Sequence, residues 1–507
     1  MISFELLAVI ALIILAFGGL IVGVVNDGVN FLNSAIGAKA APRKYIITVA
    51  AIGIIIGATF SDGIIEVARK GIFYPEFFSL NEAIILFTAV AIANVILLDL
   101  YSTFGLPTST TVAVVFGLLG SAFTLSWLKV GDFNQAWEVI NSASAIKILV
   151  GILFSIAVAF VFGLIGQFIT RLIFTFDYKP RLKKWGFLWS SAALTSLVFF
   201  ILLKGGQHAT FMTPELKEWI SGNTSLILWG SFVFFALLSI VLIRNRVNIL
   251  KVIVLIGTAS LAMAFAGNDL ANFIGVTVAG VHAFLGANLS DTLPTPTWVA
   301  ILAGIVMAIA LFTTKKTNTV VSTEVNLSSH DKDAANHWGS NVLIKKFAIF
   351  ITFFYKLIVA ITPKRSRAWI ASRWERNETH AEHKHSFDLL RAAVNLMVAA
   401  AVISYATSYK LPLSTTYVTF MAAMGSSLAD GAWSSESAPS RIAGVLAVVS
   451  GWFLTAILIF VLAGVAVSVL YLLKLPGLVI LMITIVLIVY KLFHVHNKRL
   501  YKINLVD

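Results

Sequence analysis

One pattern constrains this chain more than any other: Asn26-Asp27-Gly28-Val29-Asn30-Phe31, set inside an apolar run from Ile2 to Ala38 whose only other acid is Glu5. An aspartate between asparagines in a segment of membrane grade is costly and marks a functional site by default. The pattern recurs as Asn268-Asp269-Leu270-Ala271-Asn272-Phe273, inside an apolar run from Val252 to Ala287. Both copies read N-D-x-x-N-F, and both runs are too long for one perpendicular span. Their polar centres predict helices interrupted at the motif.

Composition fixes the class. Of 507 residues 59% are hydrophobic and 12% charged, against about a quarter charged in a soluble domain. The fold class is an all-α polytopic membrane protein with about 12–13 apolar segments: 4–36, 45–68, 82–104, 106–127, 144–175, 185–203, 225–243, 251–285, 297–313, 387–408, 411–428, 441–472 and 476–493. The net charge of +13 does not make a nucleic-acid binder of it, because the basic residues cluster in a few loops. Lys39, Arg43 and Lys44 form one cluster, Lys179, Arg181, Lys183 and Lys184 a second, and Arg244, Arg246 and Lys251 a third. Segment 314–386 and the tail, with Lys491, Lys498, Arg499 and Lys502, are basic too. An N-terminus outside puts all of these on the cytoplasmic side of a plasma (inner) membrane, with Arg69 and Lys70 as the exception. The loop 281–296, without Lys or Arg, then falls outside. The first segment lacks a basic leader and reads as a retained span. With no cysteine, disulfide and thiolate chemistry are excluded.

A second motif pair shows duplication. Leu106-Pro107-Thr108-Ser109-Thr110-Thr111 is echoed by Leu411-Pro412-Leu413-Ser414-Thr415-Thr416, and Gly120-Ser121 by Gly425-Ser426 at the same offset. The order is the same in both halves. The second copy begins seven spans after the first, and an odd number inverts it in the membrane. Inverted repeats meeting at the midplane are a secondary-transporter plan. The resulting division is 1–175 (first repeat), 176–250 (connecting spans), 251–313 and 387–474 (second repeat), and 475–507 (accessory span and basic tail). The insertion 314–386 lengthens the gap from N-D to S-T-T from 82 to 145 residues. It reads as a basic cytoplasmic segment with an interfacial helix at 347–361.

Each motif has a physical reason. The residue before proline avoids helical angles and proline suits a first helical turn, so a helix restarts at Leu106-Pro107, with Ser109, Thr110 and Thr111 in that turn. A helix N-terminus donates N–H groups to anions, and hydroxyls add donors without charge. Two such ends facing each other would cradle a tetrahedral oxyanion. The N-D-x-x-N segments offer hard carbonyl and carboxylate oxygens suited to Na⁺, and amide donors for the anion; Asn26 and Asn30 share a helical face. Plainer readings stand beside these. Asp27 and Asp269 could serve a helix break, and the hydroxyls could be interhelical glue. Asp99, two turns before the first L-P-x-S-T-T, is a candidate coupling-ion or proton residue. Asp62 and Glu66 read as a span end, Gly53 and Gly57 as close helix packing, and His380, His383 and His385 as solvated surface rather than a metal cluster.

The paired motifs resemble the inorganic phosphate transporter (PiT) family over both repeats. The resemblance implies phosphate symport with Na⁺ or H⁺, no cofactor, a midplane site in the lipid bilayer and a homodimer. Asn30, Asn272, Ser109, Thr110, Thr111, Ser414, Thr415 and Thr416 would then bind the anion. Asp27 and Asp269, with Asn26, Asn268 and Asp99, would serve the coupling ion, Na⁺ sitting at Asp27 and Asp269. The family's glycine two places before N-D is Val24 here and Ala266 in the second copy, and Val112 and Tyr417 stand where it often has histidine after S-T-T. The rival readings are a permease for sulfate or another oxyanion, and a membrane-embedded phosphate-ester enzyme. The latter lacks a P-loop, H-E-x-x-H or nucleophile–base pair. A channel suits two buried acids less well than alternating access.

Overall fold

The computed structural model describes residues 3–61, 71–199, 212–287, 295–331, 363–375, 386–409, 413–433 and 437–503. Asp62, Glu66, Arg69, Lys70, the 347–361 segment, His380, His383, His385, Leu411 and Pro412 lie outside them. Within the described residues the chain is helical, with one isolated bridge between Phe73 and Ile140. In chain order the helices are α1 (Phe4–Asp27), α2 (Val29–Gly37), α3 (Arg43–Thr59), α4 (Leu80–Phe104), α5 (Thr110–Val130), α6 (Phe133–Glu138), α7 (Ser142–Phe174), α8 (Lys179–Val198), α9 (Pro214–Gly222), α10 (Thr224–Arg244), α11 (Ile249–Phe284), α12 (Thr297–Thr313), α13 (Lys316–Ser328), α14 (Lys364–Arg373), α15 (Leu389–Ser408), α16 (Thr415–Ala429), α17 (Ala438–Leu473) and α18 (Leu475–Ile503). Among the described residues nine helices are long and apolar enough to cross a membrane. The protein is an integral membrane protein.

The N-D motifs do not interrupt their helices as their polarity suggests. α11 runs unbroken through Asn268 and Asn272. Gly28 stands between α1 and α2 in right-handed helical geometry (φ −55°, ψ −25°), and its N–H reaches the Val24 carbonyl. Backbone carbonyls there stay in the helix, so the side-chain oxygens are the ligands turned away from the helix ladder. The interruptions fall at the L-P-x-S-T-T segments. α4 is opened by a capping box between Ser79 and Glu82 and closed by Gly105 at φ 72°, where a residue bearing a Cβ would be strained. The chain re-enters helix at Thr110, three residues beyond Pro107, because the Ser109 hydroxyl accepts the Val112 N–H as an N-cap. Ser414 does the same for the Tyr417 N–H in the second copy.

Packing between the halves is reciprocal. α5 lies on α17, and α16 lies on α7. A Cβ on Gly120 would sit 2.2 Å from the Phe460 carbonyl oxygen, and one on Gly425 would sit 2.1 Å from that of Phe160. The glycine of each hairpin therefore touches the backbone of the other half. Gly53 and Gly57 likewise meet the Ala259 and Met263 carbonyl oxygens of α11, both at 2.2 Å. Gly120→Ala and Gly425→Ala each push these helices apart and are expected to cost about 1–3 kcal/mol. Thermal unfolding in detergent would read this, and an unchanged midpoint in both variants would refute backbone contact at this seam.

The head of the 314–386 segment differs from the polar insertion its composition suggests. α12 and α13 meet at a 75° bend, and α13 packs against α2, α4, α1, α16 and α17. Val320, Val321, Val325 and Leu327 are buried on it, as are Lys316 and Glu324. Its low average hydropathy conceals one apolar face, and its Lys316 pairs with Asp99 inside the bundle.

Candidate functional site

The two N-D motifs and the two hairpin tips converge. Asp27 and Asp269 are both 0% exposed. Asp27 accepts from the Thr110 hydroxyl at 3.0 Å and from the Thr416 hydroxyl at 3.1 Å. Asp269 accepts from Thr415 at 2.5 Å and from Thr111 at 3.4 Å. Each carboxylate thus holds one threonine of its own repeat and one of the other. The asparagines repeat the cross. Asn30 donates to Thr415 and Thr416, both at 3.1 Å. Asn272 donates to Thr111 at 3.0 Å and to Thr110 at 3.4 Å. Two carboxylates, two amides and four hydroxyls form one network to which both halves of the chain contribute alike.

The symmetry breaks at the first asparagine of each motif. Asn26 faces the first hairpin, donating to Ser102 Oγ and the Leu106 carbonyl and accepting the Thr108 N–H at 2.9 Å. Asn268 instead donates to its neighbour Asp269 at 3.1 Å, which also accepts from Asn272 at 2.8 Å. Asp269 therefore has two amide donors that Asp27 lacks. Asn26 and Asn30, sharing a helical face, point to different repeats.

Among the described residues every hydrogen-bond donor to these carboxylates is a neutral hydroxyl or amide. The N-termini of α5 and α16 stand nearby and add partial positive charge. Ser109 and Ser414 are present at the tips but use their oxygens as caps. A cavity of about 10 Å³ adjoins the network, lined by Asn94, Thr110 and Asn272 among apolar side chains. That cavity has room for about one water, not for a tetrahedral oxyanion. Among the described residues no group of three or more His, Cys, Asp and Glu could hold a metal. Any cation here relies on carboxylate oxygens with hydroxyl and amide oxygens.

Asp99 is not joined to this network. It pairs with Lys316 of α13, Nζ to Oδ1 2.5 Å, with both side chains buried. An intramembrane lysine thus exists, but it compensates Asp99 and not the central pair. Sequence reasoning also missed Ser102, Thr108 and Thr419. Thr419 donates to Asn30 Oδ1 at 3.3 Å, and its place one turn after Thr415 was the available signal. Nor did it find the buried ion cluster on the side where α7, α15 and α16 meet. There Arg171 donates to Asp430 at 2.8 Å from both Nε and Nη2, and to Asp388 at 2.7 Å.

A helical membrane fold closed on a buried, duplicated set of carboxylates, amides and hydroxyls belongs to a solute transporter. The sequence profile of the Phosphate transporter family matches residues 23–322, and the chain belongs to that family. It is 26% identical over 307 residues to a protein named "Putative phosphate permease" in Thermococcus kodakarensis, covering 57% of this chain and 70% of that one. It is similarly 26% identical over 313 residues to one so named in Helicobacter pylori, covering 59% and 56%. The fold is that of a solved structure described as "The sodium-dependent phosphate transporter", at a TM-score of 0.65 and 19% identity, over 92% of this chain and 99% of that one. The family is one of transporters and not of enzymes, and phosphate transport is its shared activity.

Proposed function

We propose that this protein imports inorganic phosphate by Na⁺ symport through alternating access, in the plasma (inner) membrane, as a homodimer. The observation that carries the reading is the crossed network. A threonine hydroxyl has one O–H to donate, and here the acceptors of the Thr110, Thr415 and Thr416 hydroxyls are the two carboxylates. A phosphate that accepts these hydrogen bonds must take them from Asp27 and Asp269. The carboxylate oxygens so released become ligands for cations. Anion and cation binding are then linked by one exchange of hydrogen bonds, and each favours the other. Na⁺ is favoured over H⁺ because the released ligands are hard oxygens and because the matched fold is described as sodium-dependent. The reciprocal packing supports two inverted repeats. The loop charges support an outside N-terminus, with the C-terminus and the part of 314–386 that follows the buried α13 cytoplasmic.

Uptake of labelled phosphate into proteoliposomes, with Na⁺ and pH gradients imposed separately, tests the proposal: the Na⁺ gradient alone should drive accumulation. Sulfate is the competing substrate, and equal inhibition by sulfate and unlabelled phosphate would move the assignment to a general oxyanion permease. Thr110→Val and Thr415→Val remove donors at the crossing and should weaken phosphate binding by about 1–3 kcal/mol each. Ser109→Ala and Ser414→Ala remove caps and should cost about 1 kcal/mol of stability in addition to any loss of binding. Unaltered phosphate affinity in both valine variants would mean that the anion lies elsewhere.

A further inference from the structure

Outside the central network, the buried acids Asp99 and Asp430 have Lys316 and Arg171 as ion partners. Glu324, 0% exposed on α13, has none among the described residues. One of its oxygens accepts from Asn33 Nδ2, and the other, Oε2, is buried with no hydrogen-bond partner. An isolated ionised carboxylate does not persist in such a place; it takes up a proton. Among the described residues Glu324 is not part of any group of three or more His, Cys, Asp or Glu that could hold a metal ion.

Its position gives this chemistry a consequence. Asn33 lies one turn beyond Asn30 on α2, and Asn30 lies three residues beyond Asp27, so a polar column runs from the central site to Glu324. α13 covers the end of that column. Its N-terminal end is held by Lys316 on Asp99 and by Thr319 against His496 of α18. Its C-terminal end is held by Arg391 on the Ser328 carbonyl and Arg441 on the Leu327 carbonyl. Between those ends the polar tie is Glu324 to Asn33. The titratable groups on the elements packed against α13 are Glu5 and Asp27 on α1, Glu82, Asp99 and Tyr101 on α4, Tyr417 on α16 and Arg441 and Tyr471 on α17; α2 carries none. None is hydrogen-bonded or ion-paired to Glu324.

We infer that Glu324 is a proton-binding latch: protonated, it lets α13 lie buried on α2, and on losing its proton it drives α13 off α2 and opens the Asp27–Asn30–Asn33 column to water. This rests on the transport reading above and adds to it that the column is the path between the site and one side of the membrane. A proton bound at Glu324 is separate from any cation at Asp27 and Asp269.

The chain has no cysteine, so Ser34→Cys, at a position 1% exposed beside Asn33, supplies a single reporter. The full-length protein in nanodiscs is treated with a charged, water-soluble maleimide. The labelling rate is divided by that of Ser34→Cys/Glu324→Gln at the same pH, which cancels the ionisation of the thiol itself. This ratio is expected to rise at least about tenfold between about pH 6 and pH 9, the range in which buried carboxyls titrate. Glu324→Asp should restore the rise, and Glu324→Leu serves as the non-titrating reference if the glutamine variant does not fold. A flat ratio overturns the latch. A rise abolished by replacing K⁺ with Na⁺ at fixed pH overturns the proton assignment. Na⁺-dependent phosphate binding, measured on the unaltered chain and on Glu324→Gln, separates the two readings: its loss from the unaltered chain sinks the transport mechanism, and its retention beside a flat ratio sinks only the latch.

Discussion

Asp27→Asn and Asp269→Asn should each abolish Na⁺-driven phosphate accumulation while leaving the protein folded. Phosphate brings one to two negative charges to a site that already holds two carboxylates, both fully buried, among neutral donors. Opposite unit charges about 4 Å apart attract by roughly 4 kcal/mol at the effective dielectric constant of a protein interior. Removing one carboxylate therefore removes about a thousandfold in cation affinity. Linkage returns that loss as weaker phosphate binding at any given Na⁺ concentration. Asparagine keeps the shape and can still accept from threonine, so the fold has little reason to change. Phosphate binding to the purified variants, titrated with Na⁺ at constant pH, is the measurement. Binding that keeps its Na⁺ dependence in both variants would dismiss the aspartates as the charge partners of the anion. Net positive charge carried with each phosphate would also draw on the membrane potential, about 2.3 kcal/mol per charge per 100 mV.

The largest loss of stability is expected at Arg171. Its guanidinium and the Asp430 carboxylate are each 0% exposed and share two hydrogen bonds. Truncating one member of such a pair leaves a buried charge without compensation, at a cost of about 3–5 kcal/mol. Arg171→Met should therefore lower the thermal midpoint in detergent sharply. Adding Asp430→Asn to it should recover much of the loss, because the orphaned charge is then gone. Purely additive losses in the double variant would mean that the two residues stabilise different parts of the protein. Arg391 also lies 3.8 Å from Asp430, which limits the penalty and explains why recovery need not be complete.

The elements that the sequence revealed share a local origin. Apolar runs placed many of the helices within a few residues, although the helix expected over 45–68 ends at Thr59, that over 476–493 runs on to Ile503, and nine described helices rather than 12–13 are long and apolar enough to span; the duplicated motifs named the carboxylates, amides and threonines that do converge. They were legible because each copy repeats within its own short window. Interruption at N-D-x-x-N-F was the wrong inference from a correct observation. Polar side chains in a helix need partners across the bundle, not a broken backbone, and Thr416 supplies one to Asp27 and Thr111 one to Asp269 from the other repeat. Lys316, Glu324 and Arg171 were opaque for the opposite reason. Lys316 meets Asp99 across 217 positions and Arg171 meets Asp430 across 259. A window of hydropathy sees only an isolated charge and assigns it to water.

The crossing of the two repeats also sets a clock on how the protein is made. Asp27 and its partner Thr416 are 389 positions apart in the chain. At about 5–20 residues per second of synthesis, Asp27 waits roughly 20–80 s in the membrane before Thr416 exists. Thr110, 83 positions on, arrives much sooner and is the donor that can shelter the carboxylate meanwhile. Insertion of the first repeat therefore takes place with a half-satisfied acid at its centre, and the first hairpin acts as its temporary escort. A ribosome that stops before Thr415 leaves a half-transporter whose central carboxylate is still unpaired on one side, a state that membrane quality control can recognise by its exposed charge.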